Sequence, residues 1–195
     1  VAFGVRPGEE AVLKVLKDNK DIILGVATEI VKSSPQRIEA QEAHCLACSP
    51  WQILDYSEQC RYKEKNIVDV YYRFAKEEVV LKKFFSSPKI FNYRTKIEFS
   101  FWEEEGSLHL AFHERGSQYR KLIADDGCVL ASTNMNAAAI YIVEQLNQLG
   151  INRRQVKTIT IRESKSNGRC LGILAVTEKD FPKIELPKEI LSGLI

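Results

Sequence analysis

Four side chains able to bind a metal or move a proton crowd into seven residues, Glu42-Ala43-His44-Cys45-Leu46-Ala47-Cys48. The Cys45-x-x-Cys48 spacing suits thiolate ligation, and Cys128 adds a third thiol further along. With one more ligand, Cys45, Cys48 and Cys128 would hold a [4Fe–4S] cluster, which takes four thiolates. His44, Cys45, Cys48 and Cys128 have the donor types of a zinc site, although adjacent ligands at 44 and 45 fit a tetrahedron awkwardly. A Cys48–Cys128 disulfide is a further option. The alternative to all three is packing, with the thiols behaving as small apolar groups. Cys60 on a helical stripe and Cys170 in a strand read as packing thiols. His44, His109 and His113 have no partner that the sequence identifies as a catalytic pair.

A second chemistry is spread along the chain. Basic residues interleave with aromatic ones in Tyr62-Lys63-Glu64-Lys65, in Tyr93-Arg94-Thr95-Lys96 and in 113–121. Such mixtures suit RNA, whose phosphates take ammonium and guanidinium groups while splayed bases stack on rings. The candidates are Arg94, Lys96, Arg115, Arg120 and Lys121. The run Glu103-Glu104-Glu105 would repel phosphate.

The bulk numbers set the frame. The chain has 195 residues, 45% hydrophobic and 28% charged, which is the composition of a folded protein with one large or two small domains. A net charge of +2 does not by itself mark a nucleic-acid binder. No apolar run approaches the roughly 18 residues of a membrane span, and Val1-Ala2-Phe3-Gly4 does not open a signal peptide. The single methionine is Met135, so the expectation is that the natural N-terminus lies upstream. Five cysteines without a secretion signal point to free thiols in a reducing cytoplasm. A monomer is the default expectation.

The elements that would position these groups read as α+β. Residues 1–40 are strand-rich, with a turn at Pro7-Gly8-Glu9, a loop over 18–21 and an exit at Ser33-Ser34-Pro35. The spacing predicts a helix over 50–75, Pro50 in its first turn and Tyr56, Cys60, Ile67, Tyr71 and Phe74 facing a core. Ile97, Phe99 and Phe101 alternate into a hairpin that turns at Glu105-Gly106-Ser107 and returns through Leu108, Leu110 and Phe112. A second helix is predicted from a cap at Ser132, Thr133 or Asn134 to a stop at Gly150, with Ala137, Ile140, Tyr141 and Leu149 as apolar positions. A last hairpin runs from Val156 to Ile161, turns at Asn167-Gly168, where both residues tolerate φ > 0, and returns through Leu171, Ile173 and Ala175.

The order of these pieces resembles the RNA 5-methyluridine methyltransferases. In that family an elbow reads Arg-Val-x-Pro-x-Cys, five residues, Cys, two residues, Cys, Gln. Laid on this chain, Arg37 meets the Arg, Glu42 the first Cys, Cys48 the second, Trp51 the third and Gln52 the Gln. Tyr93-Arg94-Thr95-Lys96 resembles the family's Tyr-Arg-Asn-Lys strand, and Ala111-Phe112-His113-Glu114-Arg115-Gly116-Ser117 its Gly-Phe-x-x-x-Gly-Ser return. Asp126-Gly127-Cys128 resembles the site of the fourth cluster cysteine, and Ile161-Arg162-Glu163-Ser164 the strand that follows. The likeness covers about residues 7–176.

The resemblance implies a partial OB-like barrel (TRAM) over 1–40 and a central α+β domain of antiparallel sheet and two helices over 41–150. It places a degenerate iron–sulfur elbow at 42–51. A hairpin over 151–180 would lead to a methyltransferase domain not present here, with 181–195 as tail. It also implies that the cluster is lost, since only Cys48 and Cys128 fall on ligand positions, and that Trp51 and apolar neighbours fill its place. In the family, S-adenosylmethionine gives a methyl to C5 of uracil after a thiolate adds to C6. Those groups lie in the missing domain, and no Gly-rich cofactor turn occurs here. The chain is therefore expected to be the RNA-recognition portion of such an enzyme, acting on rRNA or tRNA, without catalytic residues or cofactor of its own. A free-standing RNA-binding module, or a metal or redox cysteine protein, are the competing readings.

Overall fold

In a computed structural model of the protein, the described residues are all but Gln118, 186–188 and Ile190, with Leu191 described in its backbone alone. The chain forms two compact units, Val1–Ile90 and Phe91–Ile195. The division falls fifty residues beyond the one expected near residue 40, because the elbow and first long helix stay with the N-terminal strands. The α+β class is as expected.

The first unit opens with a three-stranded sheet in the order β1-β3-β2. Strand β2 (Glu10–Asp18) turns through Asn19–Ile22 into β3 (Ile23–Lys32), antiparallel, while β1 (Ala2–Phe3) lies parallel to β3. Three register shifts interrupt the β2–β3 ladder, which adds twist. Val12, Leu13, Val15, Ile23 and Val31 remain exposed on this sheet.

Pro7-Gly8-Glu9 forms the expected turn, with Gly8 at φ 88 and Glu9 N donating to Arg6 O. That turn delivers Glu9 to Arg37. The guanidinium donates to both Glu9 oxygens (2.7 and 2.9 Å) and to Gly4 O (2.7 Å). Backbone N–H groups of Arg6 and Ser34 complete the shell of the carboxylate. Arg37 thus ties the sheet to the elbow, whose backbone continues as a bridge from Arg37 to Leu54.

The elbow is a single helical turn, α1 (Cys45–Cys48), then a 3-10 turn over Pro50–Ile53. Pro50 therefore starts a separate turn. The long helix α2 (Tyr56–Ala75) begins later, where Asp55 accepts from Ser57 N at 2.8 Å. It ends at Lys76, in the left-handed region at φ 59. The predicted core-facing stripe is corrected here: α2 has no buried residue, and Ile67, Val70, Tyr71 and Phe74 are exposed, Phe74 by 80%. Periodicity reports an apolar face and not what covers it.

The second unit is a six-stranded sheet, β6-β5-β4-β7-β8-β9, with one helix. Strands β4 (Lys96–Glu104) and β5 (Ser107–His113) form the expected hairpin, with Glu105 and Gly106 both at positive φ. A short edge strand, β6 (Lys121–Ile123), pairs with β5. The hairpin of β7 (Val156–Glu163) and β8 (Cys170–Val176) joins the same sheet, β7 beside β4, so it belongs to this core rather than leading away from it. Only Gly168 takes positive φ in its loop, at 69, so the expected Asn167-Gly168 two-residue turn is instead a wider loop closed by Ser164 N to Arg169 O. The tail is corrected too: β9 (Leu191–Leu194) adds a parallel edge to β8. Pro187 lies outside the described residues.

Helix α3 (Thr133–Gln148) packs on one sheet face. Ser132 caps it by accepting from Met135 N at 3.2 Å, and Gly150 follows at φ 67. Its buried stripe is Met135, Ala138, Ala139, Ile142, Val143 and Leu146, rotated from the predicted positions. The run Ala137-Ala138-Ala139-Ile140-Tyr141-Ile142-Val143 is apolar all round and hides the phase. Beneath lie Ile97, Phe99, Phe101, Leu110, Ile159 and Ile161, each 2% exposed or less. Asn147 clamps the helix to β5, accepting from Leu108 N (2.7 Å) and donating to Leu108 O (2.9 Å). Asn147→Ala should lower stability by about 2 kcal/mol, two hydrogen bonds at about 1 kcal/mol each, read as a shift in the denaturant midpoint.

Candidate nucleic-acid interface and cysteine elbow

Side chains alternate across a sheet, so the register sets the composition of the face opposite α3. Pairing places Glu98 beside Thr160, Lys96 beside Arg162, Trp102 beside His109 and His113 beside Lys121. This face carries Lys96, Arg162, His113, Lys121 and Trp102 around the small residues Ser100, Ala111 and Thr158, with Glu98 and Glu104 on the same side. Contacts along it agree: Lys96 Nζ reaches Glu98 Oε2 (3.7 Å), and Thr160 Oγ1 donates to Glu98 Oε2 (3.0 Å). The Arg153 guanidinium stacks on the Trp102 ring, 4.9 Å from its centroid.

The β4–β7 ladder ends at Ser100↔Thr158, next to a bulge at Val156/Thr158. Lys121 Nζ donates to the Phe101 carbonyl beyond that point (2.7 Å). Burial, then the charge of Arg153, holds Lys121 below the usual lysine value. Burial, then Lys121 and Arg153, holds His113 below the usual histidine value. Burial is the larger cause of both shifts, and the neighbouring cations add to it.

Of the five predicted RNA contacts, the structure brings Lys96 and Lys121 onto this face. Arg120 pairs with Glu114 (3.2 Å). Arg115 sits in the turn closed by Ser117 N to Glu114 O, and Arg94 precedes β4 with its N–H on Leu130 O. Sequence reasoning missed Arg162 and Arg153. The alternation of β7, once placed in register with β4, identifies Arg162; nothing local identifies Arg153. His109, which had no partner in sequence, has one: its Nδ1 lies 2.7 Å from Asp125 Oδ2.

The elbow positions divide between the units. Cys128, in the second, is 1% exposed, and its N–H and C=O are both held by the Asn136 carboxamide (3.0 Å each). Trp51 is half-buried, with Lys63 Nζ 5.8 Å from its ring centroid. Glu42 and Cys48 come together: Cys48 Sγ donates to Glu42 Oε2 (3.4 Å) and faces His44 Nδ1 (3.3 Å). The Gln52 amide donates to the same Glu42 oxygen (2.7 Å). The expected apolar filling is corrected on this side, since carboxylate, imidazole and carboxamide surround Cys48.

A four-thiolate cluster does not fit these residues. Two of the four family positions carry thiols, and indole offers no lone pair. Burial raises the Cys45 thiol above its usual value, and pushes Cys170 up to about 11, as expected of packing thiols. No strand, Gly-rich turn and helix of the kind that cradles S-adenosylmethionine occurs among the described residues.

Curated homologues of the chain are RNA methyltransferases. One from Halalkalibacterium halodurans is 26% identical over 186 residues, 90% of this chain and 40% of its own length. Others are from Clostridium tetani, 26% identical over 200 residues (96% and 43%), and Thermotoga maritima, 25% over 189 (92% and 41%). All three carry the description uncharacterized RNA methyltransferase. The fold matches that of Pyrococcus abyssi tRNA (uracil-54, C5)-methyltransferase, solved with S-adenosyl-L-homocysteine, with a TM-score of 0.64 and 21% identity over 93% of this chain and 42% of that one. No family model matches the chain. The chain spans about two fifths of the length of the relatives it matches. Among the described residues, no helix is long and apolar enough to cross a membrane.

Proposed function

We propose that this chain is the RNA-recognition portion of an S-adenosylmethionine-dependent RNA methyltransferase that acts at uracil C5, with tRNA as the RNA. The observation that carries this reading is the helix-free sheet face, where Lys96, Arg162, His113 and Lys121 flank Trp102. Lys and Arg there neutralise phosphates, and the indole offers a stacking surface for an unpaired base. The chain's own residues hold and orient the RNA; the cofactor, when bound by the whole protein, supplies the methyl group.

The test is binding of a tRNA transcript, followed by fluorescence anisotropy across a salt series. Lys96→Ala with Arg162→Ala should weaken binding about equally for different RNA sequences and reduce the salt slope by about 1 for each cation removed. Unchanged affinity and slope would remove this face from the interface. A free-standing RNA-binding module would use the same face, and methyl transfer by the whole protein separates the two.

A further inference from the structure

Arg37, Arg61, Lys96 and Arg120 each face a carboxylate. Arg153 and Lys121 differ. Among the described residues, neither side chain forms an ion pair, and each is placed by an uncharged group instead. The Arg153 guanidinium lies over the Trp102 ring, 4.9 Å from its centroid. Its backbone is fixed: Arg153 N donates to Glu103 Oε2 (2.9 Å), and the loop around it closes through Asn152 N to Gln155 Oε1 (3.1 Å) and Arg154 N to Asn152 Oδ1 (2.9 Å). Lys121 starts two strands away from β4, on β6. Its stem reaches past Ala111 and Ser100, both small and buried, and Nζ donates to the Phe101 carbonyl at 2.7 Å. The two cations therefore meet at residues 101 and 102, close enough for the charge of Arg153 to act on Lys121. No residue of β7 pairs with Trp102, because the β4–β7 ladder stops at Ser100↔Thr158.

We propose that Trp102, Arg153 and Lys121 form a subsite for one unpaired nucleotide of the RNA. This rests on the RNA reading above and adds which form of RNA that end of the face takes. A ring with a guanidinium stacked on it gives an unpaired base of any identity a π surface. The guanidinium edge gives donors to the phosphate joined to that base. So does the Lys121 ammonium, which uses one of its three hydrogens on Phe101 O. A duplex keeps its bases stacked on one another and offers the ring nothing. Lys96 and Arg162 pair across the ladder without a ring between them, so they meet RNA backbone in either form. Glu104, two residues beyond Trp102 on the same face, repels a further phosphate, and the His109–Asp125 pair borders the subsite on the β5 side. The subsite therefore ends after one nucleotide.

The full chain carrying Trp51→Phe keeps Trp102 as its one tryptophan. Single-stranded oligouridylate should quench that fluorescence to saturation, and a blunt RNA duplex of similar length should leave it unchanged. By anisotropy of labelled oligouridylate, Trp102→Ala and Arg153→Ala should each weaken binding about 10-fold, the scale of one lost base stack. Lys121→Ala should weaken it and reduce the salt slope by about 0.7, one phosphate contact on a single strand. Arg153 is exposed in its loop, so its variant reports even where Trp102→Ala fails to fold. Quenching that is absent while tRNA still binds overturns the subsite and leaves the RNA reading standing; failure of tRNA itself to bind overturns both. Equal quenching by the duplex, or oligouridylate affinity unchanged in Arg153→Ala, also overturns the subsite.

Discussion

Glu9→Ala is expected to cost the first unit about 3–5 kcal/mol, the scale for leaving a buried charge without its partner. The Glu9 side chain is fully buried, and Arg37 closes a two-pronged pair on it at 2.7 and 2.9 Å. Removing the carboxylate strands the guanidinium and also frees the Arg6 and Ser34 amides. The Arg37 hydrogen bonds, aided by those amides, hold the Glu9 carboxyl down at about 2, against an ordinary 4.5. A lowered carboxylate stabilises the fold above its unfolded value, so this contribution is complete above about pH 4.5 and disappears as pH falls towards 2. Glu9→Gln should flatten the pH dependence of stability in that window while lowering stability at neutral pH. Trp51 lies in this unit, so its fluorescence in a Trp102→Phe background reports the transition. Wild-type pH dependence retained in Glu9→Gln would mean that the pair does not govern this acid transition.

Gly127→Ala should destabilise the second unit by about as much. Gly127 has φ +84, where a side chain costs about 1–3 kcal/mol of backbone strain. A Cβ there would also lie 2.4 Å from the Asn136 carboxamide. Asn136 is the group that holds both backbone atoms of Cys128, so moving it forfeits two hydrogen bonds of about 1 kcal/mol each. The sum is about 3–5 kcal/mol. Denaturation followed by Trp102 in a Trp51→Phe background measures it, and a shift below 1 kcal/mol would show that the turn relaxes freely. The sequence pattern Asp126-Gly127-Cys128 thus has a backbone reason in this chain.

The local elements were legible because their signals are short-range. The loop expected over 18–21, the Glu105-Gly106 turn and the Ser132 cap each determine structure within a few residues, and the structure places the first at Asn19–Ile22 and agrees with the other two. What sequence did not reveal is long-range. The placement of β7 beside β4, sixty residues apart, decides which cations share a face, and no window of sequence contains both Lys96 and Arg162. The same limit applies at the elbow. The sequence register leaves two of the four elbow positions as thiols, but the shape of one helical turn decides that His44 and Glu42 both meet Cys48. The α3 phase failed for the opposite reason: its signal is local but degenerate, because seven consecutive apolar residues carry no preferred side.

Helix α2 has a thermodynamic corollary. Twenty residues are hydrogen-bonded in it with none buried, and a lone helix of that length is only marginally stable in water. Its first turn is anchored by Asp55 and by the Glu58–Arg61 pair, whereas Ile67 and Val70 to Phe74 are exposed, with Lys76 as the cap. Fraying from the C-terminal end therefore costs little free energy, and amide protons there are expected to exchange with solvent faster than those of the rest of the unit, which hydrogen exchange would measure. The distal half of this helix is expected to behave as a segment of low cooperativity beyond its anchored first turn.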